Sequence, residues 1–90
     1  MTRTPVYTNQ FERDLRRMKR RGKDTDKIKA VIVTLINEEP LPERYRDHAL
    51  IGNYKDRREC HIEPDWLLVY KLADDEIIFE RTGSHSDLFG

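Results

Sequence analysis

The sequence predicts a small α+β domain: a twisted antiparallel sheet in the order β-α-α-β-β-β, with a helical hairpin packed on one face. Three observations carry this prediction. Two consecutive segments in the first half repeat apolar residues at helical spacing. The second half reads as three strands separated by tight turns. Ninety residues suffice for one modest core and no second domain, so residues 1–90 form a single unit.

The elements follow in order. Residues 3–7 read as a short strand, and Pro5 restricts it to a sheet edge. Thr8 or Asn9 caps a first helix; Asn9 and Glu12 have capping-box spacing. Phe11, Leu15 and Met18 form its narrow apolar stripe, and Gly22 is its stop. Asp24 or Thr25 starts a second helix, in which Ile28, Val31, Ile32, Leu35 and Ile36 fill every core-facing position. Pro40 and Pro42 end it. Residues 40–53 form a loop long enough to suggest a functional role. Residues 54–62 read as a strand, and Glu63-Pro64-Asp65 as a turn. Residues 66–72 give the strongest strand signal and, being apolar on both faces at their start, the central strand. Asp74-Asp75 turns the chain into a last strand over residues 76–81.

Composition narrows the class. Apolar residues make up 37% of the chain and charged residues 38%, a charge-rich balance that stays globular because the apolar residues recur periodically. Cys60 is the single cysteine and forms no internal disulfide. No apolar run resembles a signal peptide or is long enough to span a bilayer, so the expected compartment is the cytoplasm, without membrane contact. Net charge is zero, but its distribution is uneven. Residues 1–30 carry ten Lys/Arg against four Asp/Glu; residues 31–90 carry seven against thirteen. Arg16, Arg17, Lys19, Arg20, Arg21 and Lys23 form a basic block that suits phosphate, or else a merely solvated helix face.

Three histidines are the candidate chemistry: His48 in the long loop, His61 near a strand end and His85 after the last strand. In a meander the turn at 63–65 and the tail after Arg81 lie at the same end, so His61, Asp65 and His85 converge. Topology does not force His48 to join them. Imidazole titrates at about pH 6.5 and serves as acid or base near neutrality. RNA supplies its own nucleophile, the 2′-hydroxyl, and needs a base, an acid and cations around the phosphorane. Arg57, Arg58, Lys55 and Arg81 offer those cations. Asp65 orients a histidine or keeps it protonated. Trp66 and Phe89 are platforms for a base, or core residues. A zinc site is the rival use of three histidines and an aspartate, but no close-spaced ligand pair is present. No cofactor motif or glycine-rich phosphate loop occurs.

The run Arg58 to Tyr70, with Pro64-Asp65-Trp66 after His61, followed by Arg81-Thr82-Gly83-Ser84-His85-Ser86-Asp87-Leu88-Phe89, resembles the YafQ type of RelE-superfamily toxin. Asp47-His48-Ala49-Leu50 resembles that family's loop, and the likeness spans nearly the whole chain. The resemblance implies a RelE-like fold and a ribosome-dependent mRNA interferase, silenced by a cognate antitoxin. It also implies that operator DNA is contacted only through the antitoxin complex. By motif match it places active-site histidines at His48, His61 and His85, the aspartate at Asp65, and aromatics at Trp66 and Phe89. It implies catalysis without metal or cofactor. The expected roles are an acid–base pair of His85 and His61, tuned by Asp65, with His48 at the phosphate and Arg57, Arg58 and Arg81 binding phosphate. The basic first helix meets ribosomal RNA or an acidic antitoxin segment. One departure stands out: Lys55-Asp56-Arg57 occupies the place where the family commonly has Lys-Gly and an aromatic. It leaves open a second reading, a catalytically inactive antitoxin-binding module of the same fold.

Overall fold

The computed structural model describes residues 2–52 and 56–90. Strand β1 (Thr4–Tyr7) leads into helix α1 (Asn9–Arg20) and helix α2 (Thr25–Ile36). A single 3₁₀ turn (Glu43–Tyr45) and a two-residue strand β2 (His48–Ala49) follow. Strands β3 (Arg57–Glu63), β4 (Trp66–Ala73) and β5 (Glu76–Gly83) form the meander, and a short helix α3 (His85–Phe89) closes the chain.

Local chemistry sets these boundaries. Thr8, not Asn9, caps α1 by accepting from the Phe11 N–H at 2.9 Å, a contact of the kind that contributes about 1 kcal/mol. Asp24 caps α2 in the same way through the Asp26 N–H. Helix α2 ends at Ile36, ahead of the prolines, and Glu38 turns the chain with φ 58. Ser84 caps α3 with a capping box completed by Asp87.

The five strands lie in the order β1-β5-β4-β3-β2. The expected central strand β4 is central, and Pro5 sits on the edge strand. Two features differ from the expected sheet. Strand β1 pairs parallel to β5, Thr4 opposite Glu76 through Tyr7 opposite Phe79, so the sheet is mixed. The loop before β3 contributes β2, antiparallel to β3. Strand β3 is described from Arg57 onward; the expected strand residues 54 and 55 lie outside the described residues, as do Asn53 of the loop and the proposed cation Lys55.

Both long helices cover one face. Phe11, Met18, Ile28, Val31 and Ile32 pack on Cys60, Ile62, Trp66, Leu68, Tyr70, Ile77 and Phe79. Leu35 and Ile36 of the predicted stripe join this core half-buried. The opposite face carries a small cluster of Leu67, Val69 and Leu88, with Leu50 against it. Among the described residues, no helix is long and apolar enough to cross a membrane.

Candidate active site

Strand pairing places the site. Residues directly opposite each other share a face of the sheet. His48 lies opposite Glu59, Glu59 opposite Val69, and Val69 opposite Arg81, so one row crosses four strands. The next row is His61, Leu67 and Gly83. Both rows lie on the face away from α1 and α2. The register shifts between His61 and Glu63, a bulge of the kind that re-aims a neighbouring side chain. His85 enters from α3, two residues beyond Gly83.

The three imidazoles stand in a line. Ring centroids are 6.4 Å apart for His48 and His61, and 5.8 Å for His61 and His85. Each ring is held through Nδ1. His48 Nδ1 is 2.6 Å from the Arg46 carbonyl, which a left-handed Arg46 (φ 49) turns toward it. His61 Nδ1 is 3.3 Å from the Pro64 carbonyl. His85 Nδ1 is 2.8 Å from Asp65 Oδ1, which also accepts the His85 backbone N–H at 2.9 Å. Carbonyl and carboxylate oxygens only accept, so each Nδ1 donates and carries a proton. Every Nε2 is therefore the nitrogen left to exchange a proton. The His85 backbone N–H, and then its imidazole, hold the Asp65 carboxyl below its usual range.

Sequence reasoning missed Glu59. This carboxylate is 5% exposed and lies between two rings, 3.5 Å from His61 Nε2 and 3.8 Å from His48 Nε2. Strand alternation alone marks it, since it stands two residues from His61 on the same face. Ligand atoms of Glu59, His61 and His85 lie within 4.8 Å of one another, and this is the set that a divalent cation would use.

The remaining predicted residues divide. Phe89 is 43% exposed with its ring centroid 6.5 Å from that of His85, so it stands beside the cluster. Arg57 shares the histidine face and is ion-paired with Glu80. Arg81 is on that face by register, and its Nε and Nη2 reach Asp14 on α1 at 2.7 and 3.3 Å. Trp66 is not a base platform: it is 0% exposed, inside the helix-side core, with Nε1 donating to Thr82 Oγ1 at 2.9 Å. Arg58 does not join the site either. It alternates with Cys60 and Ile62 on the other face, where its Nε is 3.4 Å from Asp47. Asp47 also accepts from the Tyr70 hydroxyl at 2.5 Å, which anchors the strand that presents His48. Burial first, and then that carboxylate, push the Tyr70 hydroxyl up.

The basic block divides as well. Arg21 grips Asp87 at 2.6 and 3.1 Å, Arg17 lies 3.7 Å from Asp87 as well as 3.4 Å from Asp14, and Lys23 meets Glu63 at 2.8 Å. These three cations bind α1 and its following turn to α3 and the β3–β4 turn. The Arg21 hydrogen bond pulls the Asp87 carboxyl well below its usual range. Gly83 is required beside it: an added Cβ would stand 2.9 Å from the Asp87 side chain. Arg16, Lys19 and Arg20 are exposed, with no ion pair among the described residues.

Comparison with known proteins identifies the family. Residues 3–90 match the family model of the bacterial YafQ toxin of type II toxin–antitoxin systems. A curated relative, the mRNA interferase toxin YafQ of Escherichia coli, is 47% identical over 85 residues, covering 93% of this chain and 92% of its own. The toxin in the E. coli DinJ-YafQ toxin–antitoxin complex is 45% identical with a TM-score of 0.92, over 100% of both chains. A metal-bound toxin from Helicobacter pylori is 40% identical with a TM-score of 0.91, covering 99% of this chain and 100% of its own. The chain thus belongs to the YafQ family of bacterial toxins of type II toxin–antitoxin systems.

Proposed function

We propose that this toxin is an endoribonuclease that cuts translated messenger RNA in the ribosome, by histidine acid–base catalysis without a metal. The observation that carries the reading is the line of three imidazoles, each tied at Nδ1, with the Glu59 carboxylate beside the Nε2 atoms of His48 and His61. One Nε2 removes the 2′-hydroxyl proton as that oxygen attacks phosphorus. The P–O5′ bond breaks, and a protonated Nε2 supplies the leaving oxygen with its proton. Products are a 2′,3′-cyclic phosphate and a 5′-hydroxyl. His61 and His85 are the acid–base pair; Asp65 holds the His85 ring through Nδ1. His48 meets the phosphate, Glu59 orients His48 and His61, and Arg57 and Arg81 offset the phosphorane charge. Phe89 stacks on a base.

The E. coli relative is named an mRNA interferase and is seen with the DinJ antitoxin. By likeness, this chain acts on messenger RNA in the cytoplasm and is silenced by its own antitoxin, through which alone it meets operator DNA. The exposed Arg16, Lys19 and Arg20 suit the backbone of ribosomal RNA. A divalent ion on Glu59, His61 and His85 would occupy the nitrogens that move protons, so added zinc inhibits while a chelator leaves activity intact. Loss of activity in chelator, restored by metal, would instead make the ion a catalyst.

The test is induction of the wild type beside His85→Ala. The wild type arrests growth and creates new transcript ends inside coding regions; the variant, expressed and folded, does neither. Equal toxicity of the two proteins would remove His85 from the chemistry. The rate follows a bell-shaped pH profile, with one limb lost in each histidine variant.

A further inference from the structure

A groove of about 620 Å³ opens beside the histidine cluster. It starts at His61 and runs between α2 and the 3₁₀ turn, away from His85 and Phe89, neither of which lines it. Lys27, Arg44, Tyr45, Arg46 and Pro64 form much of its wall. The Arg44 guanidinium lies over the Tyr45 ring, 4.8 Å from its centroid, so a flat cationic surface faces the groove. The one acidic wall residue, Glu63, is neutralised by Lys23 and Lys27 at 2.8 Å each, which hold its carboxyl below the usual range. The groove is therefore cationic overall.

We propose that this groove is a nucleotide subsite that takes a residue of the RNA strand next to the scissile phosphate. The inference rests on the ribonuclease reading and extends it. A strand cut at His61 has to continue past that ring. On one side Phe89 is available to it; on the other lies this groove, with volume for one nucleotide. A base stacks on the Arg44–Tyr45 pair, since guanidinium and aromatic planes both receive bases. Arg46 and Lys27 meet the flanking phosphates. Arg46 serves two parts of the site at once: its carbonyl fixes His48, and the residue lines the groove. An acidic protein segment would be drawn by the same charge, but it has no reason to begin at a catalytic imidazole.

The test is single-turnover cleavage on ribosomes programmed with one messenger. The wild type, Tyr45→Ala and the double variant Arg44→Gln/Arg46→Gln are compared over a salt series, with folding checked by circular dichroism. Tyr45→Ala raises the half-saturating toxin concentration about tenfold, with a cleavage rate at saturation within about twofold of wild type. The double variant reduces the slope of log affinity against log salt by about 0.7, the release expected for the one single-strand phosphate contact, at Arg46, that it removes. Tyr45 also packs against the core, so the unfolding midpoints are measured: Tyr45→Phe, which keeps the ring, keeps wild-type affinity, and Tyr45→Ala loses affinity more than its loss of stability accounts for. Unchanged affinity and salt slope in all variants would overturn the subsite. So would a loss confined to binding of the antitoxin, which would assign the groove to a protein partner. If the wild type and His85→Ala cut equally or not at all, it is the ribonuclease reading that fails.

Discussion

The two faces of the sheet divide the work of this molecule. On the helix side, Cys60, Trp66, Leu68, Tyr70 and Phe79 are sealed beneath α1 and α2. Burial pushes the Cys60 thiol up, so it stays protonated and inert. On the other side the covered apolar cluster is the small one of Leu67, Val69 and Leu88, and the buried Glu59 lies around it with His48, His61 and His85. Neighbours in sequence thus serve opposite ends: Cys60 packs beneath the helices while His61 stands in the imidazole line, and Trp66 packs while Asp65 holds His85. A period of two is enough to keep stability and chemistry on separate surfaces.

The largest effects should follow that division. Trp66→Ala removes a fully buried ring and leaves the Thr82 hydroxyl without its donor. It should cost about 3–5 kcal/mol in denaturant unfolding. His61→Ala, one strand away, should cost roughly 10²–10⁴-fold in cleavage rate with little change in the unfolding midpoint. If Trp66→Ala folds stably and loses only RNA affinity, the assignment of Trp66 to the core is wrong.

The division is bridged at one edge, where α1 grips α3 through Arg21 and Asp87. Arg21 touches no reacting atom; it positions the helix that carries His85 and Phe89. Arg21→Ala should lower kcat by about ten- to a hundredfold through misplacement of His85 and leave KM nearly unchanged. Arg21→Lys, with a single ammonium where two nitrogens acted, should restore only part. A fall confined to ribosome affinity would make Arg21 a docking residue instead. Asp87 adds a pH signature. Its carboxyl is depressed in the folded state, so its stabilisation is complete above the unfolded value of about 4 and is lost as pH falls toward the folded value. Asp87→Asn should be less stable at neutral pH, and its deficit should shrink in acid. A deficit constant from pH 7 to pH 3 would mean that the charge contributes nothing.

Much of this was legible before any coordinates. The helices were, because full stripes such as Ile28-Val31-Ile32 leave one reading. The meeting of His61, Asp65 and His85 was, because alternate turns of a meander share an end. His48 was placed by family likeness alone, since a loop of that length has no fixed path; β2 supplies the path. Trp66 stays open between platform and core in the sequence, because a strand apolar at every position hides which side faces the helices. The parallel pairing of β1 was unreadable, since alternation marks a strand and not its direction. Helix α3 is five residues long, too short for periodicity, although the spacing of Ser84 and Asp87 is a capping signal. Nothing in the sequence singles out Asp14. It is 1% exposed and binds Arg81 and the Thr82 N–H.

The smallest expected effect concerns the entry to β3, where this chain departs from its family. Asp56 stands where the family resemblance leads one to expect glycine, and its φ is 72. The turn thus keeps the left-handed backbone that glycine adopts freely, but with a side chain that makes it costly by about 1–2 kcal/mol, less for aspartate than for most residues. Restoring glycine relieves that strain and, by loosening the unfolded chain, returns part of the gain. Asp56→Gly should therefore stabilise the toxin by only about 0.5 kcal/mol. Its cleavage rate should stay within about twofold of wild type, because Arg57 and Glu59 are already seated in the sheet. A tenfold rise in rate with no change in stability would locate the cost of the departure in the site itself, and would make the aspartate a brake on the enzyme instead of a strained but harmless turn residue.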